Sequence, residues 1–261
     1  MRFCEKMKKA LVIFGSKTDE KIYSRICEVL KENNVAFELR ISSAHKTPED
    51  VDETLKKDYS VVIAGAGLAA HLPGVVAARI IRPVIGVPCE GNYQGLDALL
   101  AIAQMPPGIP VLAVGVGKAD VAAENCIKMI KNYDEINVIG DGKNDAVRKC
   151  TGTLEKLKAP FSFSNSVNEN MINIQFTYFD EPIESNNELV IYCPLLLEKD
   201  DKAEAALNLL KHSSHGLWVG INNGTNAAIA AVEILNINDK YKKQLLDYRK
   251  EIGKKVLDAN K

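Results

Sequence analysis

Short β-rich apolar runs alternate along the chain with longer stretches in which apolar residues recur every three or four positions. Residues 10–14, 36–41, 60–64, 84–87 and 111–115 read as strands. Between them, Ile22, Ile26, Val29 and Leu30 fall on one helical face, and Val51 with Leu55 marks a shorter helix after Pro48. Residues 69–78, 97–103 and 118–131 supply three more helices. Strands that alternate with helices predict an α/β fold in which crossover helices flank a parallel, doubly wound sheet.

The pattern then starts again. Leu11-Val12-Ile13-Phe14-Gly15 is echoed by Ile136-Asn137-Val138-Ile139-Gly140, and Pro83-Val84-Ile85-Gly86-Val87-Pro88 by Leu189-Val190-Ile191-Tyr192-Cys193-Pro194. Val114-Gly115, Ala122-Ala123 and Ile130 align without gaps to Val219-Gly220, Ala227-Ala228 and Leu235. Such echoes suggest duplication of a whole domain, with a first unit over 1–134 and a second, shortened and degenerate unit over 135–261. The offset between copies shrinks by roughly twenty residues from front to back, and the lost block is the one that carries His71 in the first copy. The stretch around His45 is replaced by residues 162–170. The second copy therefore reads as scaffold without chemistry, and its His212 and His215 read as exposed loop residues in a Ser-rich turn. In the tail, Tyr241, Leu245, Tyr248, Ile252 and Val256 recur at helical spacing on a charged background, which predicts a helix packed on its own domain or on another protomer.

Charge narrows the partners. With 33 basic against 34 acidic side chains and a formal balance of -1, the chain has no global field for nucleic acid or an anionic membrane, so an anionic ligand must be captured locally. The six cysteines are scattered without a CxxC pair, which argues against zinc or a redox couple. No apolar run approaches the roughly twenty residues that cross a bilayer, and the first residues lack an apolar signal core. A reduced, cytoplasmic protein is expected, with either Met1 or Met7 as its start.

Candidate chemistry sits where predicted strands end. Gly15-Ser16-Lys17-Thr18-Asp19 closes a strand and opens a helix, so its N–H groups and hydroxyls suit a phosphate, although Ser, Thr and Asp are also ordinary caps. Asp19 can cap its own helix or accept from a sugar diol. Ser43 and Lys46 bring a hydroxyl and a cation from the neighbouring strand, and between them His45 is the best acid/base candidate, because imidazole exchanges protons near neutrality. The stretch 64–74 combines glycines with Ala70, His71 and Leu72, which predicts close backbone approach to a ligand and a small apolar pocket sized for a neutral molecule such as carbon dioxide.

The motifs GSKTD, SSAHKTP, AGAGLAAHLPG, PVIGVP and GLDALLAIAQMPPGIPV occur in that order between Leu11 and Ile130, and together they closely resemble the PurE family of purine biosynthesis. That family comprises 5-(carboxyamino)imidazole ribonucleotide mutase and aminoimidazole ribonucleotide carboxylase. The resemblance implies a three-layer, flavodoxin-like domain assembled into octamers, with active sites where protomers meet. It implies a ribonucleotide substrate, carbon dioxide as trapped intermediate or substrate, and no metal or organic cofactor. Matched by position, Gly15, Ser16, Asp19, Ser43 and Lys46 would hold the ribose phosphate, His45 would be the acid/base, and Gly67, Ala70, His71 and Leu72 would line the carbon dioxide pocket, with His45 and His71 as the catalytic pair.

Lys46 stands where the mutase branch usually has Arg, as in the direct carboxylases, whereas the AHLPG tract is the mutase's. The resemblance therefore favours the mutase, with direct carboxylation as the alternative and a non-catalytic nucleotide-sensing module as a third reading. A tandem chain would reach a pseudo-octamer with four copies, and residues of the second copy are expected to complete the pocket of the first.

Overall fold

The computed structural model describes residues 8–91, 93–181, 183 and 187–260. The choice between Met1 and Met7, and Cys4, lie outside the described residues. The first half runs β1 (Lys9–Phe14), α1 (Glu20–Glu32), β2 (Ala36–Ile41), α2 (Pro48–Leu55), β3 (Val61–Ala66), α3 (His71–Arg79), β4 (Val84–Pro88), α4 (Leu96–Ala103), β5 (Leu112–Ala113) and α5 (Ala119–Met129). The second runs β6 (Ile136–Ile139), α6 (Asp145–Leu157), β7 (Phe161–Phe163), β8 (Ile172–Tyr178), β9 (Val190–Leu195), α7 (Lys202–His212), β10 (Leu217–Trp218), α8 (Gly224–Leu235) and α9 (Lys242–Asp258).

All ten strands join one sheet in the order β2-β1-β3-β4-β5-β10-β9-β8-β6-β7. Each half is parallel within itself, and the halves meet through an antiparallel pair at Trp218 and Ala113. Read outward from this seam, both halves follow the same doubly wound order. Helices cover both faces, giving three layers. One core gathers Val12, Phe14, Ile85 and Val114 with α1 and α5, and continues through Val138, Ile174 and Val219 to α6 and α8. The other gathers Leu11, Ile13, Val62 and Ala64 with α3 and α4, and reaches Tyr192, Leu209 and Trp218. Because the halves run antiparallel at the seam while α1 and α6 stay on one face, the carboxyl ends of their strands point to opposite edges of the sheet.

Two of the three sequence echoes keep their side of the sheet. Ile85 and Val87 share a core with Ile191 and Cys193, and Val84 shares the other with Val190. The first echo does not hold in register: Leu11 and Ile13 face α3 and α4, whereas Ile136 and Val138 face α6 and α8. Strand side chains alternate with a period of two, so a pairing displaced by one residue exchanges the faces. Among the described residues no helix lies between β7 and β8 or between β8 and β9, where α2 and α3 stand in the first half.

The expected helix over 69–78 starts at His71, because Leu68 and Ala70 adopt positive φ of 50° and 36°. The last helix forms as expected, with Leu245 buried, but it packs across the halves and not on its own unit alone: Ile252 lies at Gly108 of the first half. No described helix is long and apolar enough to cross a membrane.

Candidate active site

Three neighbouring strands, β2, β1 and β3, end at one edge of the sheet, and the turn after each delivers part of a cleft of about 520 Å³. After β1, the Gly15 N–H donates to Gly65 O at 3.1 Å, which keeps the first turn beside the third. Ser16 caps the short 3-10 turn that follows: its Oγ accepts from the Thr18 N–H at 3.2 Å and the Thr18 hydroxyl at 2.8 Å. Asp19 occupies the N-cap position of α1 without a side-chain capping bond. Its carboxyl instead meets the Cys89 thiol and the Thr18 hydroxyl, and burial raises it above the ordinary carboxylate value against the pull of those two donors.

After β2 the chain folds into a turn that is tied through its own side chains. The Ser43 N–H donates to Thr47 Oγ1 at 2.9 Å, and Ser43 Oγ accepts the N–H groups of His45 at 3.4 Å and Lys46 at 3.3 Å. Pro48, at the first position of α2, ends the turn. His45 and Lys46 are thereby held at its tip. After β3, the left-handed residues Leu68 and Ala70 bend the backbone so that α3 begins with His71. Non-glycine residues in that conformation cost roughly 1–3 kcal/mol each and persist where the surroundings enforce them.

The turns after β2 and β3 place His71 Nδ1 2.9 Å from His45 Nε2, with the rings nearly perpendicular at 85° and their centroids 4.9 Å apart. At that separation one ring nitrogen donates to the other. All ten candidates named from the sequence, Gly15, Ser16, Asp19, Ser43, His45, Lys46, Gly67, Ala70, His71 and Leu72, line this cleft. Sequence reasoning did not single out Glu90 and Gly91, which line the cleft after β4, or Cys89, which meets Asp19 there. Cys89 is buried against Asp19, and burial pushes its thiol strongly upward. The position of PVIGVP at the end of a strand was the signal that could have found them.

The expectation that second-copy residues complete this pocket is not met within one chain: every lining residue falls between Gly15 and Gly91. The seam at β5 and β10 puts the strands of the second half at the far side of the sheet from β1. A larger depression of about 970 Å³ in the second half is lined by Asp180, Glu181, Asp200, Asp201 and Glu204, a set that repels phosphate. His212 is also not the exposed loop residue expected. It ends α7 with its ring against Phe179, and burial lowers its imidazole, while His215 is exposed. Among the described residues no group of three His, Cys, Asp or Glu side chains is arranged to hold a metal ion.

Residues 9–138 match the family described as AIR carboxylase. The N5-carboxyaminoimidazole ribonucleotide mutase of Methanocaldococcus jannaschii is 50% identical over 125 residues, 48% of this chain and 80% of the relative. The chain belongs to this family. Within it, the enzyme of the same name from Saccharolobus solfataricus is 46% identical over 129 residues, 48% of this chain and 82% of that one. The phosphoribosylaminoimidazole carboxylase of Candida glabrata is 38% identical over 164 residues, 59% of this chain and 29% of that much longer protein. In this AIR carboxylase family member, the matched span holds the whole cleft and stops within β6.

Proposed function

We propose that the chain is a 5-(carboxyamino)imidazole ribonucleotide mutase of purine biosynthesis, and the contact between His45 and His71 inside the cleft carries this reading. The Ser16 and Ser43 hydroxyls, the Gly15 backbone and the Lys46 ammonium would grip the ribose phosphate. Asp19, turned away from its own helix, would accept the sugar hydroxyls. Gly67, with no side chain, and the buried Ala70 and Leu72 leave a small apolar corner in the cleft that His45 and His71 also line. There the N–C bond of the carbamate breaks to release carbon dioxide and the free exocyclic amine, and the ring carbon attacks the trapped gas. The net proton movement runs from that carbon to the amine nitrogen, and His45 is placed to take and return it. Confinement keeps both fragments at high effective concentration, and exclusion of water prevents hydration of the gas.

Direct carboxylation of aminoimidazole ribonucleotide is favoured by one observation, the point charge of Lys46 where a forked guanidinium would grip phosphate in two directions. Purified protein supplied with the carbamate nucleotide alone separates the two. A mutase turns it over without bicarbonate, a carboxylase requires bicarbonate with aminoimidazole ribonucleotide, and a sensing module binds without turnover.

We further propose that the second half is a shortened copy of the first and that four chains assemble so that a neighbouring chain covers the cleft. Leu68 in the cleft lining, 65% exposed, and Tyr93, two residues beyond the lining Gly91 and 77% exposed, support this as apolar surface awaiting cover. Light scattering of the purified protein tests it, with a monomer as the contrary result. The described cysteines are all free, in keeping with a cytoplasmic setting.

A further inference from the structure

Helix α3 carries His71 as its first residue and is nine residues long, shorter than a helix that holds its own shape in water. Its N-cap, Ala70, supplies no side-chain bond, so the direction of the His71 ring depends on what grips the rest of the helix. The helix packs on β3, β4, α2 and α4 of its own half, with Arg79 bonded to Asp52 of α2, and two further grips come from the other half of the chain. In α9, Arg249 Nη1 donates to Ala77 O in the last turn of α3 at 3.0 Å, while Nη2 of the same guanidinium bonds Glu233 Oε1 of α8 at 2.9 Å. Glu233 is 1% exposed, which fixes the anchor in the core.

A second grip works through Met105. Its sulfur lies so close to Gly74 of α3 that a Cβ there would be 3.2 Å away. The Met105 carbonyl accepts from the side-chain amides of Asn223 and Asn226, both at 3.2 Å. Asn226 also donates to Pro106 O at 3.1 Å and accepts from the Gly108 N–H at 2.8 Å, so one buried amide fixes the whole segment that supports α3.

We propose that the second half is a brace for α3, with Arg249 and Asn226 as positioning residues that set the angle of His71 towards His45. The inference rests on the reading of the cleft as catalytic, although its geometry can be tested without turnover. In the full chain, Asn226→Ala removes one grip. Arg249→Met combined with Glu233→Met removes the other while leaving no orphaned buried charge at residue 233, and a thermal melt of the variant checks that it is folded.

Two readouts are taken: kcat against KM with the carbamate nucleotide, and the ring resonances of the four histidines by NMR. The expected result is a kcat about tenfold or more lower with KM within about twofold, the signature of misplaced reacting groups. It is accompanied by movement of the His71 resonances, while those of His215 stay in place. Unchanged His71 resonances, or a shift of all four histidines together, overturn the brace. If the native protein shows no turnover, the functional reading fails, and the His71 resonances alone decide the inference.

Discussion

The two halves present the same side of one sheet to different neighbours. In the first, Leu11, Ile13, Val62 and Ala64 face outward into a layer that includes α3 and α4. In the second, the corresponding side of β6 and β8 carries Asn137 and Asn173, both fully buried. Asn137 Nδ2 donates to Ser166 O at 2.9 Å and to Asn173 Oδ1 at 2.8 Å, and Asn173 Oδ1 also accepts the Asn168 N–H at 2.8 Å. A hydrogen-bonded loop thus stands between β7 and β8 where the first half has α2 between β2 and β3, and the polar strand face satisfies it. The turns into α2 and α3 are what deliver His45 and His71 in the first half, and the described residues of the second half contain no such turns. The strand order is the same without them, since the apolar residues facing α6 and α8 hold the second half's strands.

The comparison breaks most severely at His45. His45→Asn is expected to lower kcat by about 10²–10⁴-fold, the range for loss of a general acid/base, while calorimetry still detects nucleotide binding. His212→Asn in the second half should leave kcat unchanged. Equal effects of the two would erase the distinction between a chemical half and a supporting one.

Gly224→Ala tests the supporting half next. A Cβ at Gly224 would lie 1.9 Å from the Ala146 carbonyl oxygen, where α8 crosses α6, and backbone cannot yield as a side chain can. A stability loss of about 1–3 kcal/mol in denaturant melts is expected. A variant as stable as the parent would mean that this helix pair packs otherwise.

Asp19→Asn should raise KM about tenfold by leaving the sugar hydroxyls with a weaker acceptor. Because burial raises the Asp19 carboxyl, the parent should lose affinity on acidification at a pH above that of an ordinary aspartate, and the variant should not. A shared acid limb in the two profiles would assign it to another group.

The smallest effect concerns Glu38 in β2, whose carboxylate is held by Lys57 and Lys9, with Tyr59 donating as well, and is pulled down to about 2. A carboxyl depressed in the folded state adds stability above its unfolded value and loses it as pH falls through the folded one. Glu38→Gln should therefore cost about 1 kcal/mol or less at pH 7, and the difference from the parent should vanish as acid melts approach pH 2.

Much of the cleft was legible because each group of its residues lies in a short turn directly after a strand. Serine, histidine and glycine in that position announce themselves, since a turn exposes what it carries. Cys89 was not legible, for its thiol belongs to a strand end that reads as plain core until Asp19 is seen beside it. His212 was misplaced because a Ser-rich neighbourhood resembles a loop, while the ring packs on Phe179 from a distant segment. The first echo slipped by one residue because an apolar run reads alike in either register, and only the neighbouring helices say which face is which.

The sequence by itself determined the alternation of strands and helices, the parallel sheet within each half and the three turns that carry the chemistry, because these follow from local periodicity and turn residues. Tertiary structure alone decided that the halves share one sheet, that His45 and His71 touch, and that Arg249 reaches α3. The seam consists of two-residue strands with no pattern of their own, and the histidine and arginine contacts span 26 and 172 residues of chain. Such partners are chosen by the packing of the whole molecule, which local spacing does not encode.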